Sequence, residues 1–248
     1  LKIVSLPQYY KKMILDKGVI IHELGSIDYK ECWDYQENIF SDMADTKISD
    51  RKNGMVTHKN NHIILCEHPH VFTLGKSGSE NHLLISEDFL QQKNAKFYKI
   101  NRGGDITYHG PGQIVVYPIL DLEKFFTDIH KYLRYLEEAV IQTCAHYGII
   151  AGRVDGLTGV WVDFENPAKA RKICAMGVRC SRWITMHGIA LNVNTNLDYF
   201  NFIVPCGIQD KAVTSIQKEL GKEINMEETK NLLLRNILHQ FDMFILNP

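Results

Sequence analysis

The hydrophobic pattern changes period several times along the chain. Residues 19–24 form a short apolar, β-like run. From Asp28 to Met43 the apolar positions Tyr29, Trp33, Phe40 and Met43, flanked by Cys32 and Ile39, recur at spacings that predict an amphipathic helix. Residues 45–61 are polar, with Gly54 among many Asn, Lys and Asp, and read as a surface loop. Residues 62–66 and 71–74 read as strands on either side of a Pro69 turn, and Ser86 is placed to cap a short helix that opens with Glu87 and Asp88. Residues 96–101 alternate as a strand, and the β-branched run 113–120 predicts another. Ile129, Tyr132, Leu133, Leu136, Val140, Cys144 and Tyr147 mark one face of a helix over 128–147, with Gly148 suited to its end. Four β-like stretches follow, at 159–163, 172–179, 183–193 and 212–216. Asn225 and Glu228 then have the spacing of a capping box at the head of a last helix.

Strands cluster between long helices without regular βαβ alternation. This predicts an α+β fold, with a mixed, mostly antiparallel sheet and flanking helices, in a single domain over 1–248. No internal repeat or Pro/Gly-rich linker divides the chain. The composition agrees: 45% apolar and 23% charged residues suit a globular protein. Lys plus Arg number 28 against 29 acidic residues, a net charge of -1, which argues against a nucleic-acid binder. The longest apolar run, 114–120, is broken by Pro118 and is far shorter than the roughly 20 residues a membrane span needs. The chain opens on Leu1, as a trimmed start would, with no apolar core of a secretory signal. Its six cysteines contain no Cys-x-x-Cys pair and read as free thiols of a cytoplasmic protein.

Four segments carry possible chemistry. Arg102, Gly103, Gly104, Asp105, Ile106, Thr107, Tyr108, His109, Gly110, Pro111, Gly112 and Gln113 put four glycines among hydrogen-bonding side chains, which suits a binding loop as well as a turn-rich hairpin. It matches no phosphate-binding fingerprint. Lys172 heads the run Ile173, Cys174, Ala175, Met176, Gly177, Val178, Arg179. A lysine there either faces solvent from a half-exposed strand or holds charge beside a reacting group. His187, in His-Gly-Ile-Ala-Leu-Asn-Val, reads as a structural histidine. Cys206 stands between Pro205 and Gly207 on a turn, where a thiol is either inert or a nucleophile whose pKa a neighbouring cation lowers. His58, His62, His68 and His70 lie close in sequence, but His62 opens a strand, Pro69 splits the last two, and no cysteine or carboxylate completes a zinc pattern, so no metal site is expected.

Taken in order, these segments resemble the lipoyl(octanoyl) transferase family. The carriers are Glu67-His68-Pro69-His70-Val71-Phe72-Thr73-Leu74-Gly75, the Arg102–Gln113 run, Gly159-Val160-Trp161-Val162, Lys172 to Gly177, His187 to Val193, and Pro205-Cys206-Gly207-Ile208. The resemblance spans about 19–216. It implies the fold of the biotin protein ligase and lipoate ligase catalytic domains. It also implies an octanoyltransferase that needs no cofactor. The donor is octanoyl acyl carrier protein, and the acceptors are lipoyl domains of 2-oxoacid dehydrogenase complexes and the glycine cleavage H protein. Catalysis is implied to pass through an acyl-thioester on Cys206 with Lys172 beside it. Arg102 to His109, Ala175 to Gly177 (with Met176), and Gly188 to Ala190 (with Ile189) are implied to bind the acyl group. Gly103, Gly104, Gly177 and Gly188 are expected to let the chain slide against backbone. The basic residues Lys169, Arg171, Lys172, Arg179 and Arg182 are expected to form either a rim that attracts an acidic carrier or an ordinary solvated strand face.

Two other readings share parts of this pattern. An ATP-dependent lipoate-protein ligase has the same fold but no need of Cys206. A non-catalytic module for acylated carriers would need neither Lys172 nor Cys206.

Overall fold

The computed structural model describes residues 16–204 and 212–246. Its elements in chain order are β1 (Gly18–Ser26), α1 (Tyr29–Asn53), β2 (Asn61–Glu67), β3 (Val71–Leu74), α2 (Glu87–Gln92), β4 (Lys96–Lys99), β5 (Ile106–His109), β6 (Gln113–Ile119) and α3 (Ile129–His146). They continue with β7 (Ala151–Gly152), β8 (Val160–Val162), β9 (Arg171–Ser181), β10 (Ile184–Asn192), β11 (Ala212–Val213), α4 (Ile216–Leu220), α5 (Met226–Phe241) and β12 (Phe244–Ile245). The large sheet runs β12-β1-β2-β6-β10-β9-β8-β7, with β11 paired to β9, and a small sheet runs β4-β3-β5. The ladders joining β2, β6, β10, β9, β8 and β7 are antiparallel; those of β1 with β2 and β12, of β11 with β9, and of β3 with β4 are parallel. The expected α+β fold with a mostly antiparallel sheet is what forms.

The unbroken apolar run of β6 follows from its place in the middle of that sheet, buried along its whole length. Ile114 and Val116 face a core shared with Leu136 and Val140 of α3 and Leu233 and Ile237 of α5. Val115, Tyr117 and Ile119 face the other side, against Phe40 and Met43 of α1. The β10 ladder ends at Val116, so Pro118, which has no N–H to give, lies past its last rung. The Pro118 carbonyl is still satisfied, by the Thr185 hydroxyl at 2.8 Å.

Helix ends follow the capping residues. Asp28, Ser86, Asp128 and Asn225 each accept a backbone N–H of the first turn. Polarity misled the reading of 45–61. Residues 45–53 are the last turns of α1, which closes at Gly54 with a left-handed φ of 65° and an N–H bond to Asp50. Their polarity reflects exposure rather than a lack of helix, and Lys47 holds the turns to Asp121 and Glu123. The loop is only 54–60. Likewise, 106–109 is a strand rather than loop, paired with β3. Ile216 begins α4, capped by Ser215, instead of ending a strand.

Candidate functional site

A cavity opens to solvent where the small sheet meets β9 and β10. Its wall brings together Arg102, Gly104, Asp105, Ile106, Thr107 and His109 from the β5 segment, Ala175, Met176 and Gly177 from β9, and Gly188, Ile189 and Ala190 from β10. Lys172 also lines it. The register explains why these segments, far apart in sequence, converge: Gly177 pairs with Gly188, and Ala175 with Ala190. Most of the lining is apolar, as a medium-length acyl chain would need. A second cavity, lined by Gly103, Leu157, Trp161 and Val178, shares Lys172, Met176 and Gly177 with the first.

Two of the expected binding residues lie apart from the first cavity. Gly103 lines the second one, and its N–H bonds to the Val178 carbonyl at 2.9 Å. Tyr108 turns into a core with Phe72 and Phe200, and its hydroxyl meets His70 Nδ1 at 2.7 Å. Strand alternation accounts for this, since Thr107 and His109 must face opposite to Tyr108.

The polar wall residues are held by the protein itself. The Arg102 guanidinium donates to the Thr73 carbonyl at 2.7 Å and hydroxyl at 3.0 Å, and to the Gly103 carbonyl at 3.0 Å. It ties the glycine segment to β3. Asp105 accepts its neighbour's N–H from Ile106 at 2.7 Å and lies 2.6 Å from His82. His109 Nδ1 donates to Gln113 Oε1 at 2.8 Å, and the Gln113 amide reaches Asn192 at 2.9 Å. Burial, with the neighbouring His68 adding to it, pushes His109 down to about 3, so it is a neutral imidazole.

Gly177 and Gly188 have a packing reason to be glycine. A Cβ on Gly188 would lie 2.1 Å from the Val116 carbonyl oxygen, and one on Gly177 would lie 2.9 Å from Arg102 and from the Gly103 carbonyl. These positions let strands and loop approach one another. Gly104 is different: its φ of 84° suits glycine, and among the described residues only Arg102 stands near, at 3.3 Å.

Lys172 is fixed by three strands. It pairs with Trp161 of β8 and Val213 of β11, and its carbonyl accepts from Thr214 at 2.9 Å. Its ammonium stands 4.6 Å from the centroid of the Trp161 ring. Cys206 lies outside the described residues. Of the five residues expected in a basic rim, two are held in ion pairs with described residues: Arg171 with Asp163 and Glu219, and Arg179 with Glu37 at 2.7 Å.

Six further described wall residues were not among the expected binding residues: Tyr29, Tyr117, Asn192, Phe200, Val213, and His187, which the sequence presents as a structural histidine. His187 has a left-handed φ of 61°, and its Nε2 meets Asn101 at 2.8 Å. Burial beside Arg102 and Arg179 holds it down to about 3. A positive φ on a histidine within a strand leaves no pattern in sequence.

A family model for the lipoyl protein ligase A/B catalytic domain matches residues 28–238. An octanoyltransferase of Christiangramia forsetii is 62% identical over 92% of this chain and 97% of its own. That of Cytophaga hutchinsonii is 57% identical over 94% and 96%. Among solved structures, lipoate-protein ligase A bound with ATP superposes at a TM-score of 0.69 with 15% identity, covering 94% of this chain and 88% of its own. A bipartite lipoate protein ligase from Thermoplasma acidophilum superposes at 0.67 with 16% identity, covering 94% and 86%. These two likenesses speak for the fold. The chain belongs to the lipoyl protein ligase A/B catalytic domain family. Within it, the chain is a transferase of the octanoyltransferase group.

Proposed function

We propose that the enzyme moves an octanoyl group from octanoyl acyl carrier protein to a lysine of a lipoyl domain through a thioester on Cys206. The observation that supports this reading is the apolar cavity that Lys172 helps to line, in a chain of the octanoyltransferase group. The described chain stops at Val204 and resumes at Ala212, whose strand partner is Arg171, the neighbour of Lys172. Cys206 is two residues past Val204 in sequence.

In the first half-reaction the Cys206 thiolate attacks the donor thioester carbonyl. A C–S bond forms to Cys206, the C–S bond to the carrier breaks, and the departing carrier sulfur takes a proton from the Lys172 ammonium, which leaves Lys172 neutral. The Lys172 ammonium favours the thiolate by its charge. In the second, the acceptor lysine attacks as a neutral amine. The C–N bond forms, Cys206 departs as thiolate, and neutral Lys172 takes the amine proton. An amide replaces a thioester, so no nucleotide is consumed.

Arg102, Gly104, Asp105, Ile106, Thr107 and His109, with Ala175, Met176, Gly177, Gly188, Ile189 and Ala190, make the acyl slot in this reading. Acceptors are lipoyl domains of 2-oxoacid dehydrogenase complexes and the glycine cleavage H protein. The cytoplasm is the proposed location; the described cysteines are free thiols, and no described helix is long and apolar enough to cross a membrane.

Intact mass after mixing with octanoyl acyl carrier protein, without ATP, tests this. A gain of one octanoyl group, lost in Cys206→Ala and reversed by hydroxylamine, is expected. Product formed only from free octanoate and ATP would favour the ligase instead.

A further inference from the structure

Behind the cavity wall, Cys32 meets a pair of residues distant from it in sequence, Cys66 and His68. Cys32 lies on α1, Cys66 on β2 and His68 just past it, all buried. Their sulfur and nitrogen atoms lie within 4.8 Å of one another. Cys32 Sγ is 4.0 Å from Cys66 Sγ, which is 3.6 Å from His68 Nε2. A tetrahedral ion with bonds of about 2.3 Å to sulfur and about 2.0–2.1 Å to nitrogen sets roughly 3.8 Å between sulfurs and roughly 3.6 Å between sulfur and nitrogen. The observed spacings are close to both.

The surroundings favour the same arrangement. His68 Nδ1 is 2.8 Å from the Ile27 carbonyl, which can only accept. The proton is therefore on Nδ1, and the Nε2 lone pair faces Cys66 and the Tyr117 hydroxyl, 2.8 Å away. A histidine ligand fixed by a backbone carbonyl is the usual support of a metal site. The Gln36 amide points at Cys32 Sγ from 3.9 Å and would stabilise a thiolate there.

We propose that Cys32, Cys66 and His68 bind one zinc-class divalent ion, with the Tyr117 hydroxyl, 2.8 Å from His68 Nε2, to complete the site. Binding releases the two thiol protons, so two thiolates balance the dication and the buried site carries no net charge. Tyr117 also lines the substrate cavity, so this ion would stand directly behind its wall. The stretch that holds the clustered histidines supplies Cys66 and His68, but the third ligand, Cys32, comes from α1 and hides the set from a local reading.

The test uses the full chain, with Zn²⁺ and Co²⁺ as probes. After incubation with Zn²⁺ and desalting, one ion per chain should remain, and its X-ray absorption should count two sulfur neighbours. Co²⁺ should give sulfur-to-metal charge-transfer absorption, kept in Cys206→Ala and lost in Cys32→Ser and Cys66→Ser. Gln36→Ala should weaken Co²⁺ binding by about 10- to 100-fold, as supporting residues do. No retained ion, a coordination shell without sulfur, or a Cys32–Cys66 disulfide in the purified protein would overturn the proposal. The absorption of the unmutated protein decides the matter even if the serine variants fail to fold.

Discussion

The Lys172 ammonium rests on the face of Trp161, 4.6 Å from the ring centroid, while the two residues are paired across β8 and β9. The ring faces a cation that borders both cavities and so restricts where the ammonium can go. The indole is buried, with 3% of its surface exposed, and makes a rigid rest.

Trp161→Leu should therefore slow octanoyl transfer by about 2- to 30-fold, the equivalent of a cation–π contact of about 0.5–2 kcal/mol. Trp161→Phe keeps a ring and should recover most of the rate. Single-turnover rates on proteins shown to be folded by thermal melts check this. Equal rates for the Leu variant and the original would discard the contact as a determinant of catalysis.

Gly188 is a packing position. Its alanine variant must move the Val116 carbonyl aside, because the two atoms would stand 2.1 Å apart. The expected cost is about 1–3 kcal/mol, as for other overpacked core sites. Gly104→Val should lose both stability, through its φ of 84°, and acylation. Urea midpoints read the loss of stability and intact mass the loss of acylation; a Gly188→Ala protein as stable as the original would contradict the geometry.

Acid should weaken the fold well above the carboxylate range. Burial lowers His68 and His62 to about 4, and His109 and His187 to about 3, whereas an unfolded histidine titrates near 6.5. The unfolded chain thus binds more protons, and stability falls as pH drops from about 6.5 toward 3–4. Above that window the contribution is complete. Urea unfolding at pH 7 and pH 5 should show a lower midpoint at pH 5. His109→Asn, which keeps a donor for Gln113, should shrink the difference.

Arg171 bridges Asp163 and Glu219, and the pairing, with the Thr214 hydroxyl also on Glu219, holds that carboxyl below its usual range. Arg171→Gln should cost about 1–3 kcal/mol, as for hydrogen bonds between charged groups. Its effect on the salt dependence of the donor KM should be slight, since its charge is already matched. A large loss of carrier affinity in a stable Arg171→Gln protein would restore the basic-rim idea.

Much of this molecule was readable along the chain. Local chemistry settled the helix starts, because Asp28, Ser86, Asp128 and Asn225 need only their own next turn to cap it. Period and β-branching located β6 and β10, and the ordered motifs pointed to the family. Residues 45–53 misled because composition reports contact with water, and an exposed helix is as polar as a loop. Strand β5 was hidden by flanking glycines and exists through its partner β3. Only tertiary structure decided that Gly177 faces Gly188 and that Lys172 lies over Trp161, since register between distant strands has no local cause. The same holds for Cys32, Cys66 and His68. A helix packed on a sheet brings them within 4.8 Å, and no spacing along the chain encodes that meeting.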